Sequence, residues 1–331
     1  MGYDVVTFGE VMLRLSPPDF MRFEQTHSYN ANAGGAEMNV AVACSRLGLK
    51  TAYATKLGDN SIGHFIRNQA RMHGVDTSHI LWDPENRCGV YFVEFGAAPR
   101  ANRVIYDRKQ SAISTIKPGE MNWPSLFGGS NLFHTSGITP ALGESCAETT
   151  MEALQSAKAH GCKVSYDVNY RGKLWTPQQA NRFTEPASEY IDVLITTEED
   201  TKVVYGLEGS SYEEVAEKLV DKFGFEIVVI TLRETPSVWQ NKWSVFAYSK
   251  GTIYKSPQYD IEIVDRLGAG DSCSAGFIYG LLKENDLQKA VDFAAAFSAL
   301  KHSVPGDLTF VDKDEVEKLM KGKGRGLRIE R

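Results

Sequence analysis

Residues 265–277, DRLGAGDSCSAGF, contain the residue types best suited to chemistry on an anion. Gly268, Ala269 and Gly270 stand directly before Asp271, and the small and apolar residues that follow predict a helix. Free backbone N–H groups and the dipole at a helix N-terminus favour an anion, and an ionised Asp271 could accept a hydroxyl proton. The alternative is a glycine turn with an N-cap aspartate. These residues alone support both interpretations.

A second pair of glycines precedes another predicted helix, in NAGGAEMNVA at residues 32–41. Gly34 and Gly35 could let a ligand lie directly against the backbone, because they carry no side chain. The alternative is that small residues here allow the helix to pack closely on a sheet. The segment by itself favours neither alternative.

These two junctions belong to a chain in which predicted strands and helices alternate. The first four elements are the strand YDVVTFG, the helix GAEMNVAVACSRLG, the strand TAYATKLG and the helix SIGHFIRNQARMHG. Further strands are predicted at NLFHTSG, CKVSYDVN, DVLIT and FEIVVITL, and further helices at 143–160, 177–190, 211–223, 271–285, 287–303 and 312–320. Such alternation predicts a parallel sheet covered by helices on both faces.

The alternation stops between residues 80 and 112. There, CGVYFVEFG and NRVIYDR predict two strands with no helix between them. No repeat or low-complexity linker divides the 331 residues. We therefore expect one α/β domain over 1–331, with a small β lobe formed by about 11–33 and 88–115.

Composition excludes several classes of partner. The net charge of −6 provides no basic field for nucleic acid or anionic lipid, and no stretch approaches the length of a membrane span. The five cysteines are scattered, without a CxxC pair, which predicts reduced, mostly buried thiols in a cytoplasmic protein. The basic, glycine-rich end KGKGRGLRIER predicts a solvated tail.

The two glycine junctions together resemble the two signatures of the ribokinase-like (PfkB) carbohydrate kinase family. GGAEMNVAVACSRLG is similar to the first and DRLGAGDSCSAGFIYGLL to the second, and the resemblance spans essentially the whole chain. It implies a three-layer α/β/α domain with a mostly parallel central sheet and a small β-sheet lid. It also implies phosphoryl transfer from ATP with Mg²⁺ to a sugar hydroxyl. Asp271 would then be the base, and the backbone of Gly268, Ala269 and Gly270 would hold the phosphoryl charge. Asp265 matches a family aspartate associated with a monovalent-cation loop, which makes K⁺ a further candidate cofactor.

The sugar side of the resemblance favours an acid. RVIYDRKQSAIS, residues 103–114, resembles the lobe strand of 2-keto-3-deoxygluconate kinases in this family, which implies substrate contacts from Tyr106, Arg108 and a second tyrosine, Tyr91. An arginine suits a carboxylate because it can donate two parallel charge-assisted hydrogen bonds. Many fructose and ribose kinases carry a sugar-binding aspartate near the end of the first strand, where this chain has Arg14. That departure weakens a neutral-sugar assignment, unless Arg14 simply faces solvent.

Further segments resemble pocket positions of the same family. SYDVNYRGKLW resembles its D-x-N-x-R strand end, so Arg171 would reach the acceptor carboxylate or a phosphate, and Asp167 and Asn169 would organise the Mg²⁺–phosphate shell. The remaining candidates for sugar contact are Gly34, Gly35, Ile138 and Asp307.

The nucleotide side departs from the family pattern at two places. The usual N-x-x-E reads TTEE, so Thr196 stands where the family has asparagine. Glu199 keeps the glutamate of the pattern and is a candidate to bind Mg²⁺ through water. The usual K-x-G-x-x-G reads TLRETPSVW, without its glycines, and we expect Thr231 and Arg233 near the phosphates or ribose.

The sequence therefore predicts an ATP-dependent kinase that converts 2-keto-3-deoxygluconate to 2-keto-3-deoxy-6-phosphogluconate at its terminal hydroxyl. One alternative is a fructokinase or another sugar kinase of the family. The other is a non-catalytic sugar- or nucleotide-binding regulator, suggested by the altered nucleotide segments. Exposed lid strands also predict a homo-oligomer, such as a dimer through the lid.

Overall fold

Two β-sheets and ten α-helices make up the described part of the chain, residues 2–237 and 239–322 of a computed structural model. The helices are α1 Ala36–Arg46, α2 Ser61–Arg71, α3 Trp123–Phe127, α4 Glu144–Ala159, α5 Pro177–Ala187, α6 Glu198–Tyr205, α7 Tyr212–Phe223, α8 Ala269–Lys283, α9 Leu287–Lys301 and α10 Lys313–Met320. The strands are β1 Val5–Phe8, β2 Met12–Ser16, β3 Asn30–Gly34, β4 Thr51–Gly58, β5 Ile80–Asp83, β6 Gly89–Glu94, β7 Arg103–Asp107, β8 Leu132–Ser136, β9 Lys163–Asp167, β10 Val193–Thr196, β11 Ile227–Ser237, β12 Gln240–Ser249, β13 Thr252–Lys255 and β14 Tyr259–Glu262. None of the described helices is long and apolar enough to cross a membrane. Most of the predicted solvated tail lies outside the described residues.

The larger sheet has the strand order β13–β12–β11–β10–β9–β8–β1–β4–β5, with β14 also paired to β12. All neighbours from β11 to β5 are parallel, which confirms the predicted mostly parallel sheet. Alternate residues of β11 enter different cores: Val228 belongs to the same core cluster as Leu154 of α4, and Val229 to the same cluster as Phe277 of α8. Strands β1 and β10 are buried along their whole length, as expected when helices cover both faces.

The antiparallel edge of this sheet is absent from the sequence-based assignment, which ends at β11. Strand β12 runs antiparallel to β11, and β13 and β14 both pair with β12. Strand β13 is mostly exposed, so it lacks the continuous apolar run that marks the buried parallel strands. A second difference concerns the helix predicted over 177–190. In the structure, α5 ends at Ala187 and a 3₁₀ turn follows it.

The smaller sheet has the order β3–β2–β6–β7, with β2 and β6 parallel and the other pairs antiparallel. Its strands lie within the two segments from which the β lobe was predicted. Strand β7 at one edge is exposed at four of its five residues. The sheet stands beside the carboxyl ends of the main parallel strands, the edge where open α/β sheets bind ligands.

Candidate active site

A cavity of about 620 Å³ lies between the smaller sheet and the carboxyl ends of the main strands. It brings together nearly all the site residues predicted from the sequence: Gly34, Gly35, Tyr91, Tyr106, Arg108, Ile138, Asp167, Asn169, Arg171, Thr196, Glu199, Thr231, Arg233, Gly268, Ala269, Gly270, Asp271 and Asp307. Asp265 is the exception, because it lies behind the cavity wall.

The start of α8 forms the floor at one end of this cavity. Gly268 is the N-cap and adopts φ +79°, a left-handed conformation that favours glycine; a Cβ there would also collide with the carbonyl of Asp307. Within the described residues, the amides of Gly270 and Asp271 donate to no acceptor. Ser298 Oγ donates a hydrogen bond of 2.7 Å to the carbonyl of Ala269. The turn therefore presents fixed, unused N–H donors to the cavity.

Asp271 stands in the first turn of α8 and does not cap the helix, since the N-cap is Gly268. The N-cap alternative for this aspartate is therefore wrong. Asn39 Nδ2 of α1 donates to its Oδ2 at 2.6 Å. Burial raises the pKa of Asp271 to about 6, and the Asn39 hydrogen bond acts in the opposite direction. The group is thus a carboxylate at neutral pH with a pKa raised towards the range useful for a base.

Acidic groups next to Asp271 crowd the neighbouring part of the cavity. Asp167 ends β9, and Asn169 N donates to its Oδ1 at 3.1 Å. Burial, together with the charges of Asp271 and Asp200, raises the pKa of Asp167 well above its usual value. Glu199 lies in the first turn of α6. Although the described residues hold no ready-made cluster for a metal, these oxygen donors fit a Mg²⁺ that arrives with phosphates, because a divalent cation would relieve their repulsion.

Arg108, Tyr106 and Arg171 line a further part of the cavity, and the charge of Arg171 also acts on Asp271 and Asp167. Arg108 Nη2 is ion-paired with the buried carboxylate of Glu10, and its side chain also lies over the ring of Tyr106. Burial, with the nearby charge of Arg171, lowers the pKa of Arg108 to about 10. Among the described residues, the buried atoms Arg108 Nε and Glu10 Oε1 have no hydrogen-bond partner. This part of the cavity therefore has unused polar capacity.

Arg14 is 1% exposed, which excludes the interpretation that it faces solvent. Its guanidinium donates to Asp265 Oδ2 at 2.8 Å, to Asp307 Oδ2 at 2.6 Å and to Ser16 Oγ at 3.0 Å. Tyr91 Oη donates to the other oxygen of Asp307. Arg14 and the carboxylates of Asp265 and Asp307 are thus fully engaged with protein partners.

Packing explains the two glycines before α1. A Cβ on Gly34 would collide with Tyr91 and Asp307, and one on Gly35 would collide with the backbone of Glu10. Both glycines also line the cavity. The close-packing alternative therefore applies to both of them, and the packing itself places the N-terminus of α1 at the cavity wall.

Comparisons with known proteins identify the family. Residues 3–314 match the model of the pfkB family carbohydrate kinases. The chain belongs to the pfkB family of carbohydrate kinases. It is 39% identical to a 2-dehydro-3-deoxygalactonokinase from Haloferax volcanii, over 99% of both chains.

Two solved structures have the same fold as this chain. A 2-dehydro-3-deoxygluconokinase from Thermotoga maritima has a TM-score of 0.94 and 44% identity, covering 97% of this chain and 99% of its own. An E. coli protein described as a ribokinase II, solved with ATP and Mg²⁺, has a TM-score of 0.85 and 20% identity, covering 97% and 100%. The second likeness concerns the fold alone. The predicted ribokinase-like architecture and the predicted sugar kinase activity are confirmed.

The residues that sequence reasoning missed include Asn39 and Glu10 in the cavity wall and Lys301 behind it. Asn39 stands one helical turn after the glycine pair, as a polar residue in a helix of small and apolar ones, which was a usable signal. Glu10 follows the first strand directly, and its charge at a buried strand end was another. Lys301 gave no such signal, because a lysine at the end of a helix usually faces solvent.

Proposed function

We propose that this sugar kinase transfers the γ-phosphoryl group of ATP to the terminal hydroxyl of 2-keto-3-deoxygluconate, which is also called 2-dehydro-3-deoxygluconate. The observation that carries the proposal is one cavity lined by Arg108 and Arg171 and by Asp271, which stands beside free helix N–H groups. A sugar acid bound there would have its carboxylate at the arginines and its terminal hydroxyl at Asp271, and the charge of Arg171 acts on both Arg108 and Asp271. The names of the two similar kinases support the same substrate class.

At the acceptor end, Arg108 and Arg171 would bind the carboxylate, with Tyr106 against the carbon chain. Burial and the charge of Arg171 lower the pKa of Arg108, and an incoming anion would favour the charged form of its guanidinium. Glu10 pairs with Arg108 in the described structure and would have to share it with the substrate. Gly34, Gly35, Ile138, Tyr91 and Asp307 would shape the pocket rather than carry its charge.

At the catalytic end, Asp271 would accept the proton of the terminal hydroxyl as its oxygen attacks the γ-phosphorus. The new oxygen–phosphorus bond forms while the bond to the β-phosphate oxygen breaks, which releases ADP. The unused amides of Gly270 and Asp271, with the turn from Gly268, would stabilise the charge spread over the transferring group. Bound Mg²⁺ would offset the charge of the phosphates.

The nucleotide would lie along the part of the cavity formed by β9, β10 and β11. Asp167 and Asn169 would face the Mg²⁺–phosphate shell, and Glu199 would contact Mg²⁺ through water. Thr196, Thr231 and Arg233 line the same part of the cavity and would contact the phosphates or ribose.

We further infer that the smaller sheet acts as a lid. Its strands carry Tyr91, and Tyr106 and Arg108 lie at or beside β7, so a shift of this sheet would close the pocket over the sugar and exclude water. Because β7 leaves an exposed edge, a dimer through two lids would cover it.

A panel of acceptors tests the substrate assignment by release of ADP. We expect turnover of 2-keto-3-deoxygluconate. The other acceptors in the panel are 2-keto-3-deoxygalactonate, gluconate, fructose and ribose. Preference for 2-keto-3-deoxygalactonate would keep the proposal of a sugar-acid substrate and would assign the opposite configuration at C4. Activity on fructose and none on either keto-deoxy acid would overturn the proposal in favour of a fructokinase.

The variant Asp271→Asn tests the base and the non-catalytic alternative together. We expect kcat to fall by about 10²–10⁴-fold on the preferred sugar, since the amide cannot take the hydroxyl proton. Unchanged turnover of Asp271→Asn would show that Asp271 is not the base. If the unmodified protein binds the sugar but does not phosphorylate it, the non-catalytic regulator is favoured.

A further inference from the structure

A buried lysine lies behind the catalytic turn, outside the cavity that would hold the substrates. Lys301 is the last residue of α9 and is 0% exposed. Its Nζ donates to the carbonyl of Val304 at 3.0 Å, inside the turn that leads to Asp307. A lysine is almost never buried without a compensating charge, so its surroundings require an explanation.

Three carboxylates act on Lys301 without a direct ion pair to it among the described residues. Burial and the charge of Arg14 lower the pKa of this lysine, while the carboxylates of Asp265, Asp307 and Asp271 act against that and favour the ammonium form. Arg14 contacts Asp265 and Asp307 directly. The charges of Arg14 and Lys301 together match those of Asp265 and Asp307, and Asp271 lines the cavity.

The same group of residues holds the segment that leads into α8. The carbonyl of His302, next to Lys301, accepts from the amides of Val264 at 2.8 Å and Asp265 at 3.1 Å. Asp265 in turn accepts from the amides of Leu267 at 3.0 Å and Gly306 at 2.9 Å. These bonds connect the end of α9 to the N-cap of α8, so charge balance here affects the position of the anion-binding N–H groups.

Asp265 consequently has little capacity left for an added cation. One carboxylate oxygen accepts from Arg14 and Gly306, and the other accepts from Leu267. A K⁺ ion at this place would have to displace Arg14 or crowd Lys301, and it would leave the cluster with an excess of positive charge.

We propose that Lys301 and Arg14 are resident counter-ions of the turn before α8, and that phosphoryl transfer in this protein needs no monovalent cation. This inference rests on the proposed role of the 268–271 turn and holds for whichever sugar is the acceptor. Lys301 is a positioning residue in this scheme, because it acts through the turn and touches neither substrate.

The first test is a cation series on the unmodified protein, with the acceptor that the panel identifies. Activity is measured with choline, Na⁺ or K⁺ as the main monovalent cation at equal ionic strength, with ATP supplied as its Tris salt. We expect rates equal within about twofold, since matched salt keeps screening constant. Stimulation by K⁺ of about tenfold or more would overturn the proposal, because a resident positive charge would then be insufficient for the turn.

The second test removes the resident charge and offers a mobile one. In Lys301→Ala we expect kcat to fall by about 10–100-fold with little change in the KM of the sugar, and NH₄⁺ or K⁺ to restore much of it while choline does not. Loss of activity that no small cation restores would assign Lys301 a packing role only and overturn the proposal. Should this variant fail to fold, the cation series on the unmodified protein decides.

Lys289→Ala is the matched control. Lys289 lies on the same helix, is exposed and pairs with Glu284 at 3.7 Å. We expect its activity and its response to cations to equal those of the unmodified protein. A wrong sugar assignment would appear in the acceptor panel and a wrong counter-ion assignment in the cation response, so the two failures remain distinguishable.

Discussion

Arg14 is buried behind the cavity and Arg108 is half-buried in its wall, and although both pair with carboxylates, their environments differ. Arg14 donates to Asp265, Asp307 and Ser16, and although burial acts against it, the two carboxylates raise its pKa. Among the described residues, Arg108 has one carboxylate partner, Glu10, and a buried Nε without an acceptor, and its pKa is lowered. Every guanidinium nitrogen of Arg14 donates a hydrogen bond to the protein, whereas Nε of Arg108 donates none.

This difference separates an arginine that holds the fold from one that is ready for a ligand. A guanidinium has five N–H donors, and the number that the protein leaves unused indicates how much a ligand could gain. Residue type and the presence of a carboxylate partner alone would have assigned both arginines to the same role. The predictions below test whether loss of Arg14 affects stability and loss of Arg108 affects affinity.

The largest effect is expected for Arg14→Met, measured as the free energy of unfolding in denaturant. Removing the guanidinium leaves Asp265 and Asp307 buried without their common cation, and breaking such a pair costs about 3–5 kcal/mol. Arg100→Met is the control, because Arg100 pairs with a single carboxylate, Glu94, at a more exposed position. A loss of less than about 1 kcal/mol for Arg14→Met, the range of a surface pair, would contradict the structural role.

The next effect is expected for Arg108→Met, measured as the KM of the sugar acid. Loss of charge-assisted hydrogen bonds to the substrate carboxylate should raise KM by about 10–100-fold, with the KM of ATP unchanged. Arg108→Lys is the matched control: it keeps the charge beside Glu10, and so stability, but it cannot form two parallel bonds. Equal losses on acid and neutral sugars would rule out a carboxylate partner for Arg108.

The sequence predicted the parts of this molecule that depend on local pattern. The parallel strands and the turn at 268–271 follow from apolar runs and glycine positions, and the signatures around Gly35 and Asp271 identify the family. The Arg14–Asp307 pair joins residues 293 positions apart, and no local pattern specifies it. The exposed strand β13 and the buried Lys301 also depend on tertiary packing, which overrides the usual preference of each segment.

A smaller effect is expected at Asp271, in the acid limb of kcat/KM against pH. This base must be ionised, and with a pKa of about 6 its activity should fall as the pH drops below 6. Asn39→Ala removes a donor to the carboxylate, raises its pKa and should shift the limb upward by about one pH unit. Arg108→Lys should leave the limb in place, since Arg108 acts at the acceptor end. A limb unmoved by Asn39→Ala would mean that another group titrates.

The smallest effect is expected for Glu10→Gln. This variant removes the carboxylate partner of Arg108, whereas Arg14 keeps both of its own. The amide keeps the size and one acceptor oxygen of Glu10 but removes the charge that competes with the substrate for Arg108. We therefore expect the KM of the sugar acid to fall by about threefold to tenfold, and the sugar acid to raise Tm more than in the unmodified protein. The same variant should be less stable without ligand, because Arg108 then lacks its counter-ion. A higher KM would instead show that the Glu10 carboxylate contacts the sugar, and the two ends of that ion pair would then both belong to the substrate site.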